Sequence, residues 1–153
     1  MEQKGATLIG ISALFNGIGR FFWGSISDRI GRITTFRMLL FIQILVFTVL
    51  IFTQNSLIFS VGVCLVLLCY GGGFGVIPSL IKERYGSKLM ASVYGITLIG
   101  WGVGGIFGPQ ITAYMKDHFA ANASLYAFCT GLGLLLLGLV FSFMVKTRKF
   151  ETS

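Results

Sequence analysis

Five apolar runs, each long enough to cross a bilayer, occupy nearly all of this 153-residue chain. Residues 5–27, 34–53, 56–81, 89–115 and 124–145 read as the spans. A membrane-crossing helix needs about 20 apolar residues, whereas a barrel strand needs only about 10. In lipid each segment must satisfy its own backbone N–H and C=O groups, so runs of this length fold as helices. The expected fold is an all-α membrane protein with about five transmembrane helices. Thr34, Ser56 and Ser87 are the expected N-caps of the second, third and fourth. Only short connectors remain, with no room for a separate soluble domain.

Charge decides what such a chain meets. Only 11% of residues are charged, against roughly a quarter in a soluble domain. The net charge of +7 would suit a nucleic-acid binder if it formed a patch. It does not, because the basic residues sit in short clusters between apolar runs. Nine of the twelve lie on one side: Arg29, Arg32, Arg37, Lys82, Arg84, Lys88, Lys146, Arg148 and Lys149. Lys4 and Lys116 lie on the other, and Arg20 lies inside a span. The positive-inside rule makes the richer side, including the C-terminus, cytoplasmic. The expected partner is the lipid bilayer of a plasma or inner membrane, crossed several times, and not nucleic acid. Cys64, Cys69 and Cys129 lack metal-ligand spacing, and neither a metal nor a cofactor is expected. One histidine and five acidic residues offer no nucleophile–base constellation, so the chain does not read as an enzyme.

Glycine divides the spans. The first, third and fourth hold five, five and six glycines, and the second holds none. Small residues let helices approach closely in lipid, where the hydrophobic effect gives no drive to associate. The first, third and fourth helices are therefore expected inside the bundle, and the second against lipid. Gly100, Gly104 and Gly108, four apart and followed by Pro109, are an expected site of close helix crossing and of a bend.

Two polar features carry function. One is the loop Gly24-Ser25-Ile26-Ser27-Asp28-Arg29-Ile30-Gly31-Arg32, in which Gly31 permits a tight turn and Asp28 pairs with basic neighbours. The other is Arg20, about 10 Å from the end of its helix at 1.5 Å per residue. An arginine this deep costs about 2.5–3.5 kcal/mol to insert. Ser12, Asn16, Gly24 and Ser27 share its helical face, so a hydrated pathway is expected there. A guanidinium binds both oxygens of a carboxylate.

These motifs carry a resemblance. The loop from Gly24 to Arg32 resembles the inter-helix signature of the major facilitator superfamily. The strings Leu14 to Arg20, Tyr70 to Gly75 and Trp101 to Pro109 look like the eighth, tenth and eleventh helices of its oxalate/formate antiporter family. The resemblance implies that the five spans are helices eight to twelve, a partial C-terminal six-helix bundle. It implies a secondary transporter for a small carboxylate. Arg20 and Asn16 would contact the charged group, and Tyr94 and Trp101 would shape the cavity. Gly24, Asp28, Arg29, Gly31 and Arg32 would form a gate loop. Trp101 stands where the oxalate-type pattern has a second intramembrane cation, which favours a monocarboxylate with an apolar or π-bearing body over a dianion. The resemblance further implies a missing N-terminal half as partner. A truncated or split-gene product, inactive alone, is the competing expectation, followed by a membrane scaffold that binds partner helices.

Overall fold

The computed structural model describes residues 2–119 and 122–145, which are helical almost throughout. The helices are α1 (Glu2–Ile30), α2 (Arg32–Phe52), α3 (Ser56–His118) and α4 (Ala123–Met144), with no strand among the described residues. α2, α3 and α4 are each long and apolar enough to cross a membrane. α1 has the length but is less apolar, because Asn16, Arg20, Asp28 and Arg29 interrupt it. Lys146, Arg148 and Lys149 of the basic tail lie outside the described residues.

α3 contains 63 residues. Run straight, at 1.5 Å per residue, it would reach about 95 Å, some three times the hydrocarbon thickness. It breaks instead at Gly86 (φ 77°, ψ 168°) into arms of residues 56–85 and 87–118. That backbone conformation is open almost only to glycine. The connector expected over 82–88 is therefore one non-helical residue, and Ser87 lies within helix rather than capping it. Gly31 (φ 92°, ψ 145°) makes the turn from α1 to α2 in the same way, so Thr34 also lies inside its helix. The cap of α3 is Asn55, not Ser56. Its side-chain oxygen accepts from the N–H groups of Leu57 (2.9 Å) and Ile58 (3.5 Å), two donors that have no partner within the helix.

The core lies where α1, α2 and the first arm of α3 meet, at Trp23, Leu39, Cys69 and Val76. Glycine makes this approach possible. A Cβ on Gly75 would lie 2.6 Å from the carbonyl oxygen of Arg20, and one on Gly19 or Gly71 would overlap the carbonyls of Leu68 and Asn16. The backbones of α1 and the first arm therefore touch directly. α2 shows Phe41, Leu45 and Val49 to the outside, as expected of a lipid-facing helix. Its other side buries Thr35, Leu39 and Leu50, because it lies between the first arm and α4.

The second arm departs from expectation. A Cβ at Gly100, Gly104 or Gly108 would meet nothing within 4 Å, so no described helix of this chain crosses there. The helix also continues through Pro109 with helical backbone angles. Residues 103–114 are exposed throughout.

Arg37 ties α4 to α2. Its Nη2 donates to the carbonyl of Ser142 at 3.0 Å, and its guanidinium lies 4.5 Å from the ring centroid of Phe143. Ser142 is in the last turn of α4, where carbonyls lack intrahelical donors and the helix dipole favours a cation. Arg37→Gln loses a charge-assisted hydrogen bond and a cation–π contact. It is expected to lower stability by about 1–2 kcal/mol. Thermal unfolding in detergent checks this, with Arg37→Lys recovering part of the loss. Gly86→Ala forces a side chain into a glycine-only conformation at a cost of about 1–3 kcal/mol. The same assay should show a lower melting temperature for it, and Ser87→Ala should melt like the wild type.

Candidate functional site

The α1 face that carries Arg20 is split by packing. Ser12, Gly19, Trp23 and Ser27 are buried along the seam with α3. The Ser12 and Ser27 hydroxyls donate to their own helix, at Ile9 O (2.9 Å) and Gly24 O (2.7 Å). Those two serines, expected beside a hydrated pathway, belong instead to the helix–helix seam. Their spacing from Gly19 and Trp23 keeps them on the side that meets the first arm. Asn16 lies at the edge of the seam. Its Oδ1 is buried, accepts no hydrogen bond, and would lie 2.6 Å from a Cβ on Gly71. Arg20, one residue beyond Gly19 and so about 100° around the helix, stays exposed.

From that position Arg20 reaches an aromatic wall. Its guanidinium carbon lies 5.7 Å from the ring centroid of Phe74 on the first arm of α3. Phe74 meets Tyr70 edge-on at 5.2 Å and Trp101 of the second arm at 5.5 Å. The indole N–H of Trp101 donates to the hydroxyl oxygen of Tyr70. Behind this wall is a cavity of about 230 Å³ between α2 and the two arms, lined by Gln43, Tyr70, Phe74, Tyr94 and Trp101 among others. Tyr94 and Trp101 thus share one cavity. Arg20 and Asn16 do not line it, and Phe74 connects Arg20 to it. Sequence reasoning passed over Tyr70 and Phe74 as site residues. The available signal was two aromatics four apart, on one helical face, in an otherwise small-residue stretch.

No acidic side chain among the described residues pairs with Arg20. A lone guanidinium beside aromatic rings attracts an anion, and the rings offer an apolar surface to the rest of such a ligand. The arrangement suits binding.

The loop at the end of α1 is built around Arg32. This residue donates through Nη1 to Ser27 Oγ, pairs through Nη2 with Asp28, and lies 4.0 Å from Glu83 of α3 through Nε. It therefore links the end of α1, the start of α2 and the end of the first arm, three residues before the Gly86 break. Glu83 is a second omission of the sequence reading, since nothing in its local pattern indicated a partner some fifty residues away. Arg29 projects outward from the last turn of α1 and lines an open groove with Phe21, Phe22 and Ser25. Gly24 supplies the carbonyl that Ser27 uses, and Gly31 supplies the turn.

Comparison with known proteins agrees with this architecture. The chain is 29% identical to the oxalate:formate antiporter of Oxalobacter formigenes over 78% of its own length and 30% of that protein. It is 26% identical to a sialic acid transporter of Escherichia coli (strain K12), over 88% of the chain and 34% of the relative. It is 30% identical to apicoplast pyruvate carrier 1 of Toxoplasma gondii, over 88% of the chain and 24% of the carrier. The chain thus spans about a third or less of each relative. No solved structure matches it. Residues 3–152 match the Major Facilitator Superfamily, and this multi-pass membrane chain belongs to that family.

Proposed function

We propose that this chain forms most of the C-terminal half of a secondary transporter for a small carboxylate anion, with Arg20 as the group that binds the charge. The observation that carries the reading is the Arg20 guanidinium, exposed without an acid partner and 5.7 Å from Phe74 on the aromatic wall. An intramembrane cation is costly and marks a substrate or ion route by default. The names of three relatives support the anion class, since oxalate, pyruvate and sialic acid are all carboxylates. With one cation at the wall, a second carboxylate would be desolvated without a partner, so a monocarboxylate with an apolar body fits better than a dianion. Asn16 lies one turn from Arg20 on the same helix. Tyr94 and Trp101 border the adjoining cavity, where they would shape the wall that the ligand body meets. The reading is of a carrier, not an enzyme.

Transport needs an opposing wall. The open face of the second arm at Gly100, Gly104 and Gly108 suits close approach by helices of a second, N-terminal bundle. Rocking of the two bundles would then expose the site alternately to each side. The loop from Gly24 to Arg32, held by Arg32, would dock on that bundle at the cytoplasmic side when the site is closed there. Without such a wall, these helices would insert but not transport.

In proteoliposomes holding the intact transporter, Arg20→Gln is expected to cut uptake of a small monocarboxylate by about 100-fold or more. Arg20→Lys should recover little, because an ammonium lacks the two-pronged fork. Lys116→Gln, at the far end of the second arm, should transport normally. Undiminished uptake by Arg20→Gln would remove this residue from the site. A chain that forms stable stoichiometric complexes yet gains no thermal stability from any carboxylate would favour the scaffold reading.

A further inference from the structure

We infer that Tyr70 is a positioning residue for Trp101: its hydroxyl latches the two arms of α3 together and fixes the indole as the specificity wall beside Arg20. The inference rests on the carboxylate-carrier reading above for its role in selectivity. The latch itself rests on the geometry of the hairpin.

The two arms pair in register about Gly86. Tyr70 stands sixteen residues before it and Trp101 fifteen after, and the cavity between the arms takes Phe74 with Thr97 and Ile77 with Tyr94 in the same register. Farther from the pivot, residues 103–114 of the second arm are all exposed. Among the described residues, the Trp101–Tyr70 hydrogen bond ties the two arms at this far end of their pairing. Trp101 has a single donor, its indole N–H, so one acceptor partner can set the orientation of its ring. Tyr70 supplies that partner and, through the edge-on contacts of Tyr70 and Trp101 with Phe74, closes a three-ring cluster. Arg20 lies against the central ring of the three. Without the Tyr70 hydroxyl, the indole loses the bond that sets its rotamer and its distance from the cation.

The test uses the intact transporter in proteoliposomes and the variants Tyr70→Phe, Trp101→Phe and their double. Tyr70→Phe keeps the ring and removes only the acceptor. We expect it to raise the half-saturation concentration for an apolar monocarboxylate about fivefold, with little change in maximal rate. In the Trp101→Phe background the same change is expected to have no further effect, because the group it positions is gone. Additive effects of the two substitutions would overturn the inference. A second readout needs no substrate. In a background of the intact transporter where every tryptophan except Trp101 is replaced by phenylalanine, Tyr70→Phe should shift the emission maximum. An emission spectrum indifferent to Tyr70→Phe would also overturn the latch. Because fluorescence reports the latch directly, a transporter that takes no carboxylate would refute the carrier reading, while the emission spectrum would still decide the role of Tyr70.

Discussion

Everything in this bundle depends on the direct approach of two helix backbones, α1 and the first arm of α3. Lipid gives apolar side chains no reason to leave it for one another, so close packing must hold the helices. At Gly19, Gly71 and Gly75 there is no room for any side chain atom between the two backbones. That contact fixes where Trp23 and Val76 bury and how α2 lies across them. It also sets Arg20 beside Phe74, because Gly75, next in sequence to Phe74, rests against the Arg20 carbonyl.

Arg37 and Arg20 show how one side chain meets two fates. Arg37 is absorbed by structure. It reaches a helix end whose carbonyls lack donors and lies over an aromatic ring, and this offsets its desolvation. Arg20 has a ring beneath it but no acceptor among the described residues. Several hydroxyls in the spans follow the first pattern, satisfied by a carbonyl one turn back, as Thr48 is by Ile44 and Thr130 by Tyr126. A polar residue in an apolar run is therefore uninformative until its partner is known. Arg20 remains informative because no such partner is supplied.

The all-helical membrane architecture was legible in the sequence, because run length alone separates spanning helices from strands. The glycines of α1 and the first arm marked a close approach, and the charged loop marked the end of α1. Finer features were not legible, for identifiable reasons. The break in α3 needed only one glycine, which in the sequence looks like part of a seven-residue connector. The glycines of the second arm looked like those of the first, yet glycine records only that an approach is permitted, not which chain makes it. Ser12 and Ser27 share a helical stripe with Arg20, but a stripe broad enough for both covers a seam and its edge together. The Arg32–Glu83 and Arg37–Ser142 links join residues about 50 and 105 positions apart, and no local pattern encodes such pairs. Of the aromatic wall and the cavity behind it, Trp101 and Tyr94 stood out, whereas Tyr70 and Phe74 gained meaning only when the arms folded back.

The one-residue turn at Gly86 has a mechanical consequence. A long flexible loop would let its two helices slide past each other along the membrane normal. A single pivot residue forbids that, because any axial displacement of one arm must carry the other with it. What remains is swinging and twisting about one point, with leverage that grows toward the far ends. Residues near the pivot barely move, and the exposed outer part of the second arm travels farthest. In this hairpin, chain connectivity alone selects rotation over piston motion.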